Sequence, residues 1–124
     1  RIIRIFIYRK EGNAYISALQ CGAGRDAYLS LELSETEIDE IEFYALEPMK
    51  RGLSKGVDLD KLREAVFRGI VGASETTGKK HNVKRVGYIP NDSEHYDLHS
   101  RIAYNILERI HSGGEFRENE PDTA

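Results

Sequence analysis

The first 33 residues are divided into three segments typical of β-strands, and this division constrains the fold more than any other feature of the sequence. Residues 2–9 and 14–21 are rich in β-branched and aromatic residues, and the Gly12-Asn13 pair between them is typical of a hairpin turn. In residues 28–33, leucines alternate with more polar side chains, so one face of this strand lies in the core. Three consecutive strands of this kind predict an antiparallel sheet.

The sequence predicts a helix after the third strand. Ser34 and Glu37 have the spacing of a capping box, in which each side chain bonds to a backbone amide at the start of a helix. Apolar residues then recur at helical spacing as far as Ala45, and Pro48 interrupts the pattern. We therefore expect a first helix that begins at residue 34 and ends or kinks before Gly52.

Two further helices and one short strand are expected in the rest of the chain. Asp58 is placed as the cap of a helix that Gly72 would end, and residues 73–82 would form a polar loop. Residues 83–89 predict a strand, and a last helix is expected to end near Ser112. The order β-β-β-α-α-β-α predicts an α+β fold, with a small and mainly antiparallel sheet and helices on one face.

Length and composition predict one domain in a reducing compartment. The chain has 124 residues, and we expect a single domain at residues 1–114 followed by a disordered acidic tail at residues 115–124. Cys21 is the single cysteine, which excludes an internal disulfide. No signal-peptide pattern is present, and no apolar run approaches the ~20 residues that span a bilayer. A soluble cytoplasmic protein without membrane contact is expected.

Charge is segregated along the chain, although the net charge is only −3. Six carboxylates and no lysine or arginine lie in residues 34–48, and Lys50, Arg51 and Lys55 follow. A polarised surface of this kind steers a charged macromolecule, and no intact catalytic motif competes with that interpretation. We therefore predict a non-enzymatic binding or inhibitory module of the immunity or anti-defence type. Its expected partner is a protein with a basic surface, and the sequence leaves a homodimer open. The candidate contact residues are Glu37, Glu40, Tyr44, Glu47, Lys50 and Arg51.

Two histidines support an alternative function. His95 and His99 are four residues apart on the apolar face of the last predicted helix, a spacing that lets two imidazoles share a metal. With Asp92 or His81 they would hold zinc in a small metal-dependent hydrolase or nuclease. The glutamate that follows the first histidine of zinc peptidase helices is Tyr96 here, so that signature is absent. The sequence predicts no cofactor and keeps zinc as the alternative.

A basic cluster leaves a third function open, which is contact with nucleic acid or another anion. Its residues are Lys79, Lys80, Lys84 and Arg85. A solvated loop beside a charged edge strand explains the same residues, and an acidic chain disfavours a general nucleic-acid binder. The glycine-rich residues 22–27 and 72–80 precede strands rather than helices, so they do not predict a phosphate-binding loop.

Overall fold

The computed structural model of the chain describes residues 5–21 and 24–118, and it opens with the three predicted strands. They are β1 (Ile5–Glu11), β2 (Ala14–Gln20) and β3 (Asp26–Leu33). β1 and β2 form an antiparallel hairpin whose turn includes Gly12, with a positive φ of 59°, and β2 pairs antiparallel with β3. Residues 2–4 of the predicted first strand lie outside the described residues.

The chain after β3 is irregular, so the prediction of a helix that begins at Ser34 is wrong. The Ser34 hydroxyl accepts a hydrogen bond from the Thr36 N–H at 3.1 Å, which is a local turn that competes with helix formation. The Ser34 N–H donates to the Asn82 carbonyl at 2.8 Å. Glu37 does not cap a helix, because its carboxylate pairs with Lys80. Contacts far apart in sequence therefore outweigh the local capping pattern.

Six strands form one mixed sheet. The remaining three are β4 (Glu42–Ala45), β5 (Val83–Tyr88) and the two-residue β6 (Arg117–Glu118). The strand order is β4-β5-β3-β2-β1-β6, with β5 antiparallel to β3 and both edge strands parallel to their neighbours. The predicted α+β class is confirmed, although a short edge strand replaces the first predicted helix.

Helix α1 (Leu59–Thr77) begins where the sequence predicts and ends later. The Asp58 side chain caps it and accepts two backbone N–H groups of the first turn. The helix continues through Gly72 and ends at Gly78, which has a φ of 70°. The predicted end at Gly72 is therefore wrong, and of the loop predicted at residues 73–82 only residues 78–82 are irregular. A Cβ at Gly72 would lie 3.4 Å from the Tyr104 ring, so this glycine is a packing position.

Helix α2 (Tyr96–Ser112) ends at Gly113, which has a φ of 77°, as the sequence predicts. It crosses α1 at a short distance, because a Cβ built on Gly69 would lie only 2.3 Å from the Ser100 carbonyl oxygen. Within the part of the chain that the structure describes, no helix has the length and apolar character needed to cross a membrane.

The core lies between the two helices and one face of the sheet. Leu29 and Leu31 of β3 are fully buried at its centre. The strand register places Val86 of β5 beside Leu31 on the same face. Both helices pack on this face, as predicted, through Leu62, Val66, Ile70, Ile102 and Ile106.

The segment predicted as a disordered tail begins with ordered contacts. The Phe116 ring lies 5.7 Å from the ring of Tyr8 and 5.0 Å from that of Tyr15, centre to centre. The next two residues form β6 beside β1. Residues 119–124 lie outside the described residues.

Candidate functional site

α1 carries more apolar surface than the core covers. Val66 and Ile70 belong to the buried stripe of the helix. Phe67 and Val71 lie beside that stripe and are 60% and 40% exposed. Since they are four residues apart, these two side chains share one face of the helix. The described part of the chain therefore leaves this flank of α1 uncovered.

A groove runs between this flank of α1 and residues 38–43. It consists of two adjoining cavities of about 440 and 420 Å³, which share Ile41 and Phe67 as lining residues. Along α1 the groove extends from Arg63 to Glu75, about 18 Å at 1.5 Å per residue. We call it the α1 groove, and its apolar lining consists of Ile38, Ile41, Phe43, Phe67, Ile70, Val71 and Val83.

The rim of the α1 groove is acidic. Asp39, Glu40 and Glu75 line it, and none of them forms a salt bridge with another described residue. Glu64, which pairs with Arg68, and the cations Arg63 and Lys80 also line the groove. Glu37 is paired with Lys80, whose hydrogen bond and positive charge lower the pKa of Glu37 below its ordinary value of 4.5. The α1 groove thus combines an apolar floor with carboxylates that have no cationic partner in the described part of the chain.

The predicted contact residues are divided between the groove and other surfaces. Glu37 and Glu40 lie beside the α1 groove. Tyr44 points to the opposite face of the sheet, where the Arg85 guanidinium lies 4.1 Å from the centre of its ring. The other three, Glu47, Lys50 and Arg51, are exposed in the segment after β4. The single helical surface expected for the six residues is not formed.

Asn91 holds the segment that follows β4. Its side-chain oxygen accepts the Met49 N–H at 2.9 Å, and its side-chain nitrogen donates to the Met49 carbonyl at 2.8 Å. Its backbone carbonyl accepts N–H groups from Leu53 and Ser54. The sequence did not indicate this role, because the two segments are 42 residues apart.

The residues of the predicted basic cluster point in different directions and have different partners. Arg85 forms salt bridges with Glu32 at 2.9 Å and with Glu42 at 3.4 Å. Lys84 lies at the irregular end of the β3–β5 pairing and lines a separate cavity with Lys10 and Glu35. Lys80 is paired at the rim of the groove, and Lys79 is exposed beside it. The four cations do not form one continuous basic strip.

The four predicted metal ligands are not brought together. Asp92 and His99 meet, with 3.2 Å between Oδ2 and Nε2, whereas His95 is exposed before α2. His81 lies near the other end of α2, where its ring centre is 6.5 Å from that of His111. Because α2 rises 1.5 Å per residue, about 24 Å separates His95 from that end. Among the described residues there is no group of three or more His, Cys, Asp or Glu that could hold a metal.

Asp92 is part of a buried structural junction. Its Oδ2 also accepts the Tyr28 N–H at 3.0 Å, and its Oδ1 accepts the Ser93 N–H at 2.8 Å. Both Asp92 and His99 are almost fully buried. The pair therefore joins the start of β3 to the start of α2.

His81 lines the end of the α1 groove and has an altered pKa. Burial lowers the pKa of the His81 imidazole below its ordinary value of 6.5, and the charges of His111 and Lys79 act in the same direction. Its Nε2 lies 3.0 Å from the Thr77 hydroxyl. The ring therefore becomes charged at a lower pH than an ordinary imidazole does.

Phe67, Val71 and Glu75 are groove residues that the sequence prediction missed. Their spacing of four residues is a usable signal, since it forms a second row on α1 beside the core-facing stripe. The sequence does not show whether another part of the chain covers that row.

Comparisons of the chain with protein-family models, with curated proteins and with solved structures return no match.

Proposed function

We propose that this chain is a non-enzymatic module that binds a protein partner in the α1 groove. An inhibitory module of the immunity or anti-defence type is one form that this function would take. The partner presents apolar side chains flanked by lysine or arginine, which complement the apolar floor and the free carboxylates of Asp39, Glu40 and Glu75.

The exposure of Phe67 is the observation that carries this proposal. Single exposed apolar residues are ordinary on protein surfaces, but Phe67 adjoins Ile41 and Val71 in a concave site. Burying a phenylalanine completely is worth about 1.5–3 kcal/mol, so a partner that covers the exposed part gains a large share of that energy. Aromatic side chains in pockets are frequent binding hot spots.

Substitution of Phe67 tests the proposal, with Leu53 as the matched control. Leu53 is 39% exposed and does not line the groove. Wild type, Phe67→Asp and Leu53→Asp are immobilised, and proteins retained by the wild type are purified and titrated against all three chains. We expect Phe67→Asp to weaken binding at least about tenfold, or 1.4 kcal/mol, and Leu53→Asp to bind like the wild type.

Charge substitutions test the acidic rim separately. The Asp39→Lys/Glu40→Lys variant should weaken the same complex and reduce its dependence on salt, because the attraction to a basic partner is removed. Circular dichroism confirms that each variant is folded. If the partner binds Phe67→Asp as well as it binds Leu53→Asp, the α1 groove is not its binding site.

A further inference from the structure

The edge strand β4 contributes Phe43 to one end of the α1 groove. β4 is the first strand in the sheet order, so one of its sides has no neighbouring strand among the described residues. The Phe43 side chain faces the helices, because the Arg63 guanidinium lies 5.4 Å from the centre of its ring. One end of the groove thus lies between this edge strand and α1, and the rest lies between α1 and the irregular residues 38–41.

The backbone of β4 presents unused hydrogen-bonding groups along this edge. The Leu46 N–H donates to the Tyr88 carbonyl, so the backbone groups of Leu46 and of Tyr44 face β5. By strand alternation, the N–H and C=O groups of Phe43 and Ala45 face outward. No backbone hydrogen bond outside the helices and strand ladders of the described chain involves these groups.

On this basis, and resting on the function proposed above, we infer that the partner binds as an extended segment that adds a strand to the free edge of β4. A helix in the groove would cover the outward groups of Phe43 and Ala45 without giving them hydrogen bonds, which costs about 1–3 kcal/mol for each buried group. An added strand satisfies these groups, and main-chain pairing of this kind supplies affinity in strand-addition complexes.

The two faces of the sheet define the sequence of the bound segment. Side chains on the helix side of the added strand enter the groove beside Ile41 and Phe67, which requires apolar residues. Alternate side chains fall on the opposite face next to Glu42, which is exposed although it also pairs with Arg85. Asp39 and Glu40 lie at the end of the edge strand. The occupant therefore alternates apolar residues with lysine or arginine.

Amide hydrogen exchange measured by NMR tests this binding mode on the intact chain. The probe is a synthetic peptide of about eight residues that alternates valine with lysine, a length that covers the short strand with margin. Two control peptides replace lysine by glutamate or rearrange the same residues into a helical pattern. We expect the valine–lysine peptide alone to slow exchange of the Phe43 and Ala45 amides at least about tenfold, as new hydrogen bonds would.

A substitution at the edge provides a second readout. Ala45→Pro removes the outward N–H and leaves the bond from Leu46 to Tyr88 in place, so the chain keeps its β4–β5 pairing. The lost hydrogen bond should weaken binding of the peptide about tenfold. The amide signal of Gly87 reports whether β5 is unchanged.

The outcomes separate this inference from the proposed function. Binding that requires Phe67 but leaves the Phe43 and Ala45 amides unprotected overturns the added strand and keeps the groove. Failure of the valine–lysine peptide to bind at millimolar concentration also overturns the added strand. The Phe43 and Ala45 amides could instead become more protected as the protein concentration rises, while the peptide no longer binds. That result identifies a second copy of the chain as the occupant of the edge. Partner binding that does not depend on Phe67 rejects both proposals, because the groove is then not the binding site.

Discussion

The two sides of α1 differ sharply in packing, although they belong to one helix. On the core side Val66 is fully buried, and Gly69 lets α2 approach so closely that a Cβ would lie 2.3 Å from the Ser100 carbonyl oxygen. On the groove side Phe67, the neighbour of Val66, is 60% exposed. The difference shows that α1 carries apolar residues for two surfaces, and that the described chain covers only one of them.

The largest effect is expected where the helices touch. Gly69→Ala should lower the free energy of unfolding by about 3 kcal/mol, because the new methyl group would collide with backbone, which no rotamer change relieves. The better helix propensity of alanine, about 1 kcal/mol, offsets only part of this loss. Urea denaturation measures the change.

Gly72→Ala is the matched control for this contact. Its Cβ would lie 3.4 Å from the Tyr104 ring, which is an ordinary contact distance. The variant should therefore equal the wild type or gain up to about 1 kcal/mol from helix propensity. Equal losses in the two variants would contradict a close crossing at Gly69.

Truncation of two adjacent residues compares the two sides of α1 directly. Val66→Ala should cost about 2 kcal/mol, because it opens a cavity in the core. Phe67→Ala should cost less than about 0.5 kcal/mol although it removes a larger side chain, since most of that side chain is in solvent. Thermal unfolding of both variants measures the difference, and a greater loss for Phe67→Ala would show that the groove side is covered.

The smallest effect is the pH dependence at the end of the groove. Because the pKa of His81 is lowered in the folded chain, the unfolded chain takes up a proton first as the pH falls below 6.5. The stability contributed by the neutral ring is complete above pH 6.5 and is lost as the pH falls toward the lowered pKa.

His81→Asn should flatten the dependence of the unfolding free energy on pH below about 6.5. His111→Asn should flatten it partly, since the positive charge of His111 is one cause of the lowered pKa. Denaturation of both variants across this range measures the effect, and an unchanged pH dependence in His81→Asn would contradict it.

The parts of the fold that the sequence predicted correctly have local signals. The hairpin depends on Gly12, which has the positive φ that its turn requires. The cap of α1 depends on Asp58, whose carboxylate lies within reach of the amides in the following turn. The end of α2 depends on Gly113 in the left-handed conformation. In each case neighbouring residues determine the geometry.

The wrong predictions concern residues whose partners are far away in sequence. Ser34 and Glu37 have a capping pattern, but Asn82 and Lys80 bind them instead. Gly72 was expected to end a helix, whereas it lies within α1 and faces the Tyr104 ring of α2. The spacing of Ile41 and Phe43 fits a strand as well as a helix. The strand forms because β5 lies beside residues 42–45 and pairs with them.

Only part of the candidate site was predictable. The acidic character of residues 34–48 predicted a charged surface, and Glu37 and Glu40 lie beside the groove. The apolar floor was not predicted, because the exposure of Phe67 and Val71 depends on what packs against α1. The sequence grouped Asp92 with His99 only as candidate metal ligands, so their direct hydrogen bond and their burial were not predicted.

The position of β4 in the sheet also affects the timing of folding. The β1–β2 hairpin joins neighbouring residues, whereas β4 pairs with β5, which is synthesised only after all of α1. Closing such a long loop costs more chain entropy and slows assembly. During synthesis the first three strands can therefore assemble while residues 42–45 still lack their neighbour. A partner that needs the α1 groove would bind only chains that have been made at least through β5.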